Sequence, residues 1–181
     1  MANESVAKLK RYGIVMMAIE VRLGKTHISL ECCRMLNCKK VLFITKKKAI
    51  TSIKRDYRTA GHTFDIVVIN YESVHKIEQK GFDCIIVDEF HSLGAFPKPS
   101  LRTKRIREIF KKCQPSYHIM LSGTPSPESY SQLYHPFWVN QIYTPFQETN
   151  FYKWASYFVD VKKKYVAHGN QVNDYSNGII T

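Results

Sequence analysis

Two short stretches carry residue types that together handle phosphate chemistry. The first is Met16-Met17-Ala18-Ile19-Glu20-Val21-Arg22-Leu23-Gly24-Lys25-Thr26, an apolar run that passes through a polar loop into Gly24-Lys25-Thr26. A loop that cradles phosphate needs backbone N–H groups facing phosphate oxygens, a lysine that reaches the outer phosphates, and a hydroxyl that can ligate Mg²⁺. Gly24, Lys25 and Thr26 supply these in order. A helix starting at Lys25 adds the positive end of its dipole, which favours an anion. The complete pattern also has a glycine five residues before Gly24, where Ile19 stands. The meaning of the tripeptide therefore depends on what accompanies it.

The second stretch is Cys84-Ile85-Ile86-Val87, which ends in Asp88-Glu89-Phe90-His91. It places two adjacent carboxylates at the carboxyl end of an apolar strand. Phosphate hydrolysis uses such a pair: one carboxylate holds Mg²⁺, often through water, and the other orients and deprotonates the attacking water. Asp88 and Glu89 fit those two roles. An isolated Asp-Glu pair is more often a solvated turn, but Gly24-Lys25-Thr26 at the end of another apolar run changes that balance.

The elements that must position these groups are legible in the apolar pattern. Five short continuous runs, Ile14–Ile19, Val41–Ile44, Ile66–Ile69, Cys84–Val87 and Tyr117–Leu121, read as strands. Continuous β-branched runs suit strands buried on both faces, as in a parallel sheet with helices on each side. Helical spacing is seen over 25–36 (Ile28, Cys32, Met35, Leu36), 47–59 (Ile50, Ile53, Tyr57) and 101–112 (Ile106, Ile109, Phe110). Strand alternating with helix implies a doubly wound α/β fold with a mostly parallel sheet. In such folds ligands sit beyond the carboxyl ends of the strands.

The chain changes character near residue 97, from which point on all seven prolines fall. Helices are expected over Ser129–Val139 and Thr149–Val159, the second with Tyr152, Trp154, Ala155, Phe158 and Val159 largely on one side. Trp138 and Trp154 read as core. Beyond Val161 the pattern fades into Lys162-Lys163-Lys164-Tyr165 and a polar stretch. The expected division is one domain over 1–160 and, over 161–181, a polar extension or the start of a linker.

Composition bounds the function. With 181 residues the chain holds one ordinary α/β domain, and 27 Lys and Arg against 15 Asp and Glu give a net charge of +12. That surplus points to a polyanionic partner such as nucleic acid. No apolar run is long enough to span a bilayer. The short run after Lys8, Lys10 and Arg11 is followed by Glu20 and Arg22 instead of a small-residue cleavage site, so it reads as a buried first strand. Five cysteines, an odd number without a Cys-x-x-Cys pair, argue against a zinc or disulfide framework and make a reducing, cytoplasmic interior the default.

These residues carry a resemblance. Over roughly 12–160 the chain resembles the first RecA-like domain of a superfamily-two helicase or translocase, closest to the Swi/Snf and DExH branches found in phage-type proteins. Glu20-Val21-Arg22-Leu23-Gly24-Lys25-Thr26 resembles motif I, which in these branches often lacks the first glycine. Asp88-Glu89-Phe90-His91 resembles motif II, the DExH box, and Ser122-Gly123-Thr124-Pro125 resembles motif III. Thr45-Lys46-Lys47 resembles motif Ia, and Asn70-Tyr71-Glu72-Ser73 resembles motif Ib.

The resemblance implies a RecA-like P-loop NTPase domain that uses ATP and Mg²⁺. Glu20, Arg22, Gly24, Lys25 and Thr26 would bind ATP, Thr26 and Asp88 would hold the metal, and Lys25, Asp88 and Glu89 would be catalytic. His91, Ser122 and Thr124 would couple hydrolysis to nucleic acid, which Thr45, Lys46, Lys47, Asn70 and Ser73 would contact, with DNA favoured over RNA. The basic segment Arg102, Lys104, Arg105, Arg107, Lys111 and Lys112 is either a solvated face or a further contact. Two family features have no counterpart: no glutamine precedes Glu20, and a second RecA-like domain with its arginine finger would have to come in cis or in trans. The competing expectations are an ATPase module of a restriction or DNA-packaging machine, a non-hydrolysing nucleic-acid-binding module, and a small-molecule kinase.

Overall fold

The computed structural model describes residues 1–20, 23–148, 150–165 and 171–178. Its centre is a five-stranded sheet of β1 (Ile14–Ala18), β2 (Lys40–Thr45), β3 (Asp65–Asn70), β4 (Cys84–Asp88) and β5 (Tyr117–Ser122). The order is β1-β5-β4-β2-β3, and every pairing is parallel. All five expected strands are therefore present.

Alternation along these strands sends side chains to two separate cores. Val15, Met17, Val41, Phe43, Cys84, Ile86, Ile119 and Leu121 point to the face covered by α1 (Ala2–Tyr12), α2 (Lys25–Met35) and α3 (Ile50–Thr59). Leu42, Ile44, Ile85, Val87 and Met120 point to the face covered by α4 (Leu101–Cys113) and the segment 71–93. The fold is thus α/β and doubly wound, with helices on both faces of a parallel sheet.

Several expectations are corrected in detail. The helix α1 has no counterpart in the sequence reading; it buries Val6 and Leu9 and stops at Gly13, whose φ of 70° closes the helix by donating to the Leu9 carbonyl. A side chain at Gly13 would also strike the Tyr143 ring. The first strand is not buried on both faces, because β1 is a sheet edge that leaves Met16 and Ala18 exposed. The helix expected over 47–59 splits into a 3₁₀ turn at Lys47–Ala49 and α3. That expected over Ser129–Val139 splits into a 3₁₀ turn at Tyr130–Leu133, opened by a capping box of Ser129 and Gln132, and α5 (Tyr134–Trp138).

The helix α6 (Phe151–Phe158) starts at the Asn150 cap, whose side chain accepts from the Tyr152 N–H. It buries Phe151, Trp154 and Ala155 in an aromatic cluster with Tyr134, while Tyr152 is 47% exposed, against expectation. The lysine-rich tail is also ordered differently from expectation. Lys162–Tyr165 (β6) pairs antiparallel with Gln171–Asp174 (β7). All five cysteines are buried free thiols, as their number suggested. Among the described residues no helix is long and apolar enough to cross a membrane.

Candidate nucleotide and coupling site

The chain passes from β1 to β2 and outward to β3 along one face, then returns to β4 and β5 along the other. Neighbouring β4 and β2 therefore send their connections to opposite faces, and a crevice opens at their carboxyl ends. Asp88 ends β4 there, and Thr45 ends β2 beside it. Its hydroxyl donates to the Asp88 carboxylate at 2.7 Å. Tyr71, fully buried, donates its hydroxyl to the Asp88 carbonyl.

Burial raises the Asp88 carboxyl above its ordinary value, and the Thr45 hydrogen bond and the Lys25 charge act in the opposite direction. A half-dry carboxylate held by one hydroxyl is a good hard-cation ligand, because a bound cation offsets the cost of its desolvation. These residues fit Mg²⁺ in that sense.

Glu89 follows with φ 54° and ψ 45°, a left-handed conformation that side chains adopt at a cost of about 1–2 kcal/mol. Strain of this kind persists only where the surroundings enforce it. Here it turns the chain into the 3₁₀ segment Phe90–Leu93, whose Phe90 and Leu93 are buried. That turn sets Glu89 and His91 together at the end of β5. The Nδ1 of His91 lies 3.3 Å from the Glu89 carboxylate and 2.9 Å from the Ser122 hydroxyl. The Ser122 oxygen also accepts from the Thr124 N–H at 3.0 Å. Glu89, His91, Ser122 and the Thr124 backbone thus form one continuous polar chain, with Ser122 fully buried in its middle.

Gly24 caps α2 with φ 76° and ψ 26°, the left-handed backbone that glycine adopts without strain, and its carbonyl accepts from Ile28. Lys25 curls back over the loop, donating to the carbonyls of Ile19 at 2.9 Å and Glu20 at 3.1 Å. The Ile19 N–H donates to Ser122, so the start of the loop is stitched to the end of β5. Thr26 lies half-buried in the first turn of α2 and Glu20 is exposed. Arg22, expected to bind ATP, lies outside the described residues. Since β5 alone separates β1 from β4, the two strands run about 10 Å apart, and the loop and Asp88 leave the sheet at the same carboxyl edge, where the Lys25 charge reaches Asp88.

Among the residues expected on nucleic acid, Thr45 is a correction. Its side chain is fully buried and its hydroxyl is spent on Asp88, so it cannot reach a phosphate backbone. The Asn70 side-chain carbonyl accepts from the Ser73 N–H at 2.7 Å, which fixes the turn after β3. Lys46 and Lys47 stand exposed. Much of the basic segment on α4 is internally committed. Arg102 pairs with Glu72 at 2.9 Å over the Tyr71 ring, Arg107 lies 3.5 Å over Trp138, Lys111 pairs with Glu108, and Lys112 donates to the Ile77 carbonyl. The roles of Thr45 and Tyr71 around Asp88 had no signal in the sequence, because both are contacts between residues far apart along the chain.

Residues 47–127 match the family model of the type III restriction enzyme res subunit. The matched segment contains Asp88-Glu89-Phe90-His91 and Ser122-Gly123-Thr124-Pro125 and stops short of Gly24-Lys25-Thr26. Over that span the chain is similar to the helicase-like RecA-type ATPase domain of restriction-type enzymes. No curated protein matches it.

Proposed function

We propose that this chain is the ATP-binding and ATP-hydrolysing first half of a nucleic-acid-dependent motor of the DExH type. The observation that carries the reading is the polar chain Glu89–His91–Ser122–Thr124 running beside a desolvated, hydroxyl-held Asp88. A solvated turn after β4 would need neither the burial nor the strained Glu89 backbone.

In this reading Gly24 and the first amides of α2 face the phosphates of ATP, and Lys25 exchanges its two carbonyl partners for phosphate oxygens. Thr26 and Asp88 would hold Mg²⁺, which when bound would neutralise charge on the transferring phosphoryl group. Glu89 orients and deprotonates the attacking water. His91 passes the state of Glu89 to Ser122 and to the Thr124 loop, and Lys46, Lys47, Asn70 and Ser73 face the sugar–phosphate backbone of DNA. A second RecA-like domain, in cis or in trans, completes the site with arginines, and an arginine finger is worth about 10³–10⁵ in rate. The setting is an intracellular, reducing one. The family match favours a restriction-type motor over the other machines that share these motifs.

Calorimetry and phosphate release on the isolated chain test this. We expect Mg²⁺-dependent ATP binding and slow turnover that rises on adding DNA. Absence of ATP binding, or turnover indifferent to nucleic acid, would refute the assignment.

A further inference from the structure

The β6–β7 hairpin leaves every residue of β6 exposed, and its two faces differ in charge. Directly opposed residues in an antiparallel pair share a face. One face therefore carries Lys162 opposite Asp174 and Lys164 opposite Val172. It is largely self-neutralised: Lys162 lies 3.6 Å from Asp160, and both lysines act on the Asp174 carboxyl. The other face carries Lys163 opposite Asn173 and Tyr165 opposite Gln171, with no carboxylate among them.

On that second face Gln171 donates its amide to the Tyr165 hydroxyl at 2.6 Å, and Asn173 donates to the Tyr175 hydroxyl at 3.2 Å. Tyr165 remains 71% exposed. Tyr175 packs on Phe151 and on Tyr152, so the strip continues onto α6. From Gln171 to Tyr175 it runs about 13 Å. Its base is fastened to the domain: Ser131 donates to the Tyr175 carbonyl, Asp160 donates to the Asn177 carbonyl at 3.0 Å, and Val159 bridges to Gly178. The hairpin is an anchored platform.

We propose that the face bearing Lys163, Tyr165, Gln171 and Asn173 binds single-stranded nucleic acid, with Tyr165 stacking on a base and Lys163 meeting the phosphate beside it. An exposed ring flanked by an uncompensated cation and by amide groups matches that ligand's alternation of base faces, base edges and charge. A duplex hides its base faces and cannot use the ring. The surface uses none of Lys46, Lys47 or Asn70 and none of the residues of the nucleotide site.

Fluorescence anisotropy of a labelled oligothymidine with the full chain, without nucleotide, tests this. Tyr165→Ala weakens binding by about tenfold or more and Tyr165→Phe restores it. Lys163→Ala weakens binding and lowers the slope of log affinity against log salt by about 0.7. Lys8→Ala, on α1, removes the same charge without effect, and the hairpin variants keep the parent's ATP affinity, whatever that is. Parental affinity in Tyr165→Ala or Lys163→Ala would overturn the proposal. So would a duplex bound as tightly as the single strand and weakened equally by Tyr165→Ala.

Discussion

β4 delivers Asp88 from the middle of the sheet, whereas β1 delivers the Gly24–Thr26 loop from its edge. Cys84, Ile85, Ile86 and Val87 are all fully buried, and the carboxylate that follows is held by Thr45 and by the Tyr71 contact to its own carbonyl. Met16 and Ala18 of β1 are exposed, and among the described residues the Lys25 ammonium donates to the carbonyls of Ile19 and Glu20 in its own loop. A metal-binding carboxylate gains from a dry, fixed setting because its affinity for a cation rises as its hydration is removed. A phosphate loop needs room for the ligand and a lysine whose partners can be exchanged. In the proposed reading, one end of the site is built before ligand arrives and the other is completed by it.

The sharpest way to separate the two ends is to measure binding and turnover apart. Glu89→Gln keeps the side-chain shape at the β4 end and removes the base, so turnover falls by about 10²–10⁴ while ATP affinity holds. Equal loss of both would erase the distinction. Lys25→Ala acts at the other end and weakens ATP binding by about 10–100-fold, the scale of one or two hydrogen bonds to a charged group. Calorimetry showing parental affinity would remove Lys25 from the phosphate loop.

β5 lies between the two ends, and its His118 makes their common support pH-sensitive. The ring is fully buried against Phe110, neither nitrogen has a partner among the described residues, and burial pushes its pKa down to about 3. The unfolded chain, with a histidine near 6.5, then binds more protons than the native one, so stability is complete above about pH 6.5 and drains as pH falls. The expected loss between pH 6.5 and 5 is about 2 kcal/mol. His135 adds to it, because burial lowers its pKa to about 4 and its Nδ1 is held on the Ala95 carbonyl. Denaturant melts of His118→Leu should show a shallower acid limb; an unchanged slope would place the acid sensitivity elsewhere.

The smallest effect is structural. Thr45→Val strips the Asp88 carboxylate of its hydroxyl partner and costs about 1 kcal/mol of stability, whereas Thr26→Val, in the first turn of α2 beside the open loop, costs little without ligand. Comparable losses in the two variants would mean that the β1 end is as firmly built as the β4 end.

The sequence by itself determined the five strands and the three helices α2, α3 and α4, because fully apolar β-branched runs and 3.6-residue spacing are local signals. It also placed Asp88-Glu89 and Ser122 at strand ends and Gly24-Lys25-Thr26 one short loop beyond another, since the first two directly end or follow an apolar run and the third follows one through a polar loop. Tertiary structure alone decided what depends on which strands become neighbours. Thr45 turned from a nucleic-acid contact into the partner of Asp88 because β2 lies beside β4. β1 became an edge because the sheet closes with β5 on one side of it only. His91 met Ser122, 31 residues away, because β4 and β5 end in register. The β6–β7 pair was invisible because its strands carry lysines, amides, an aspartate, one tyrosine and one valine where a strand signal needs apolar alternation. Its stability comes from cross-strand pairing and from the docking of Tyr175, which the local sequence does not encode.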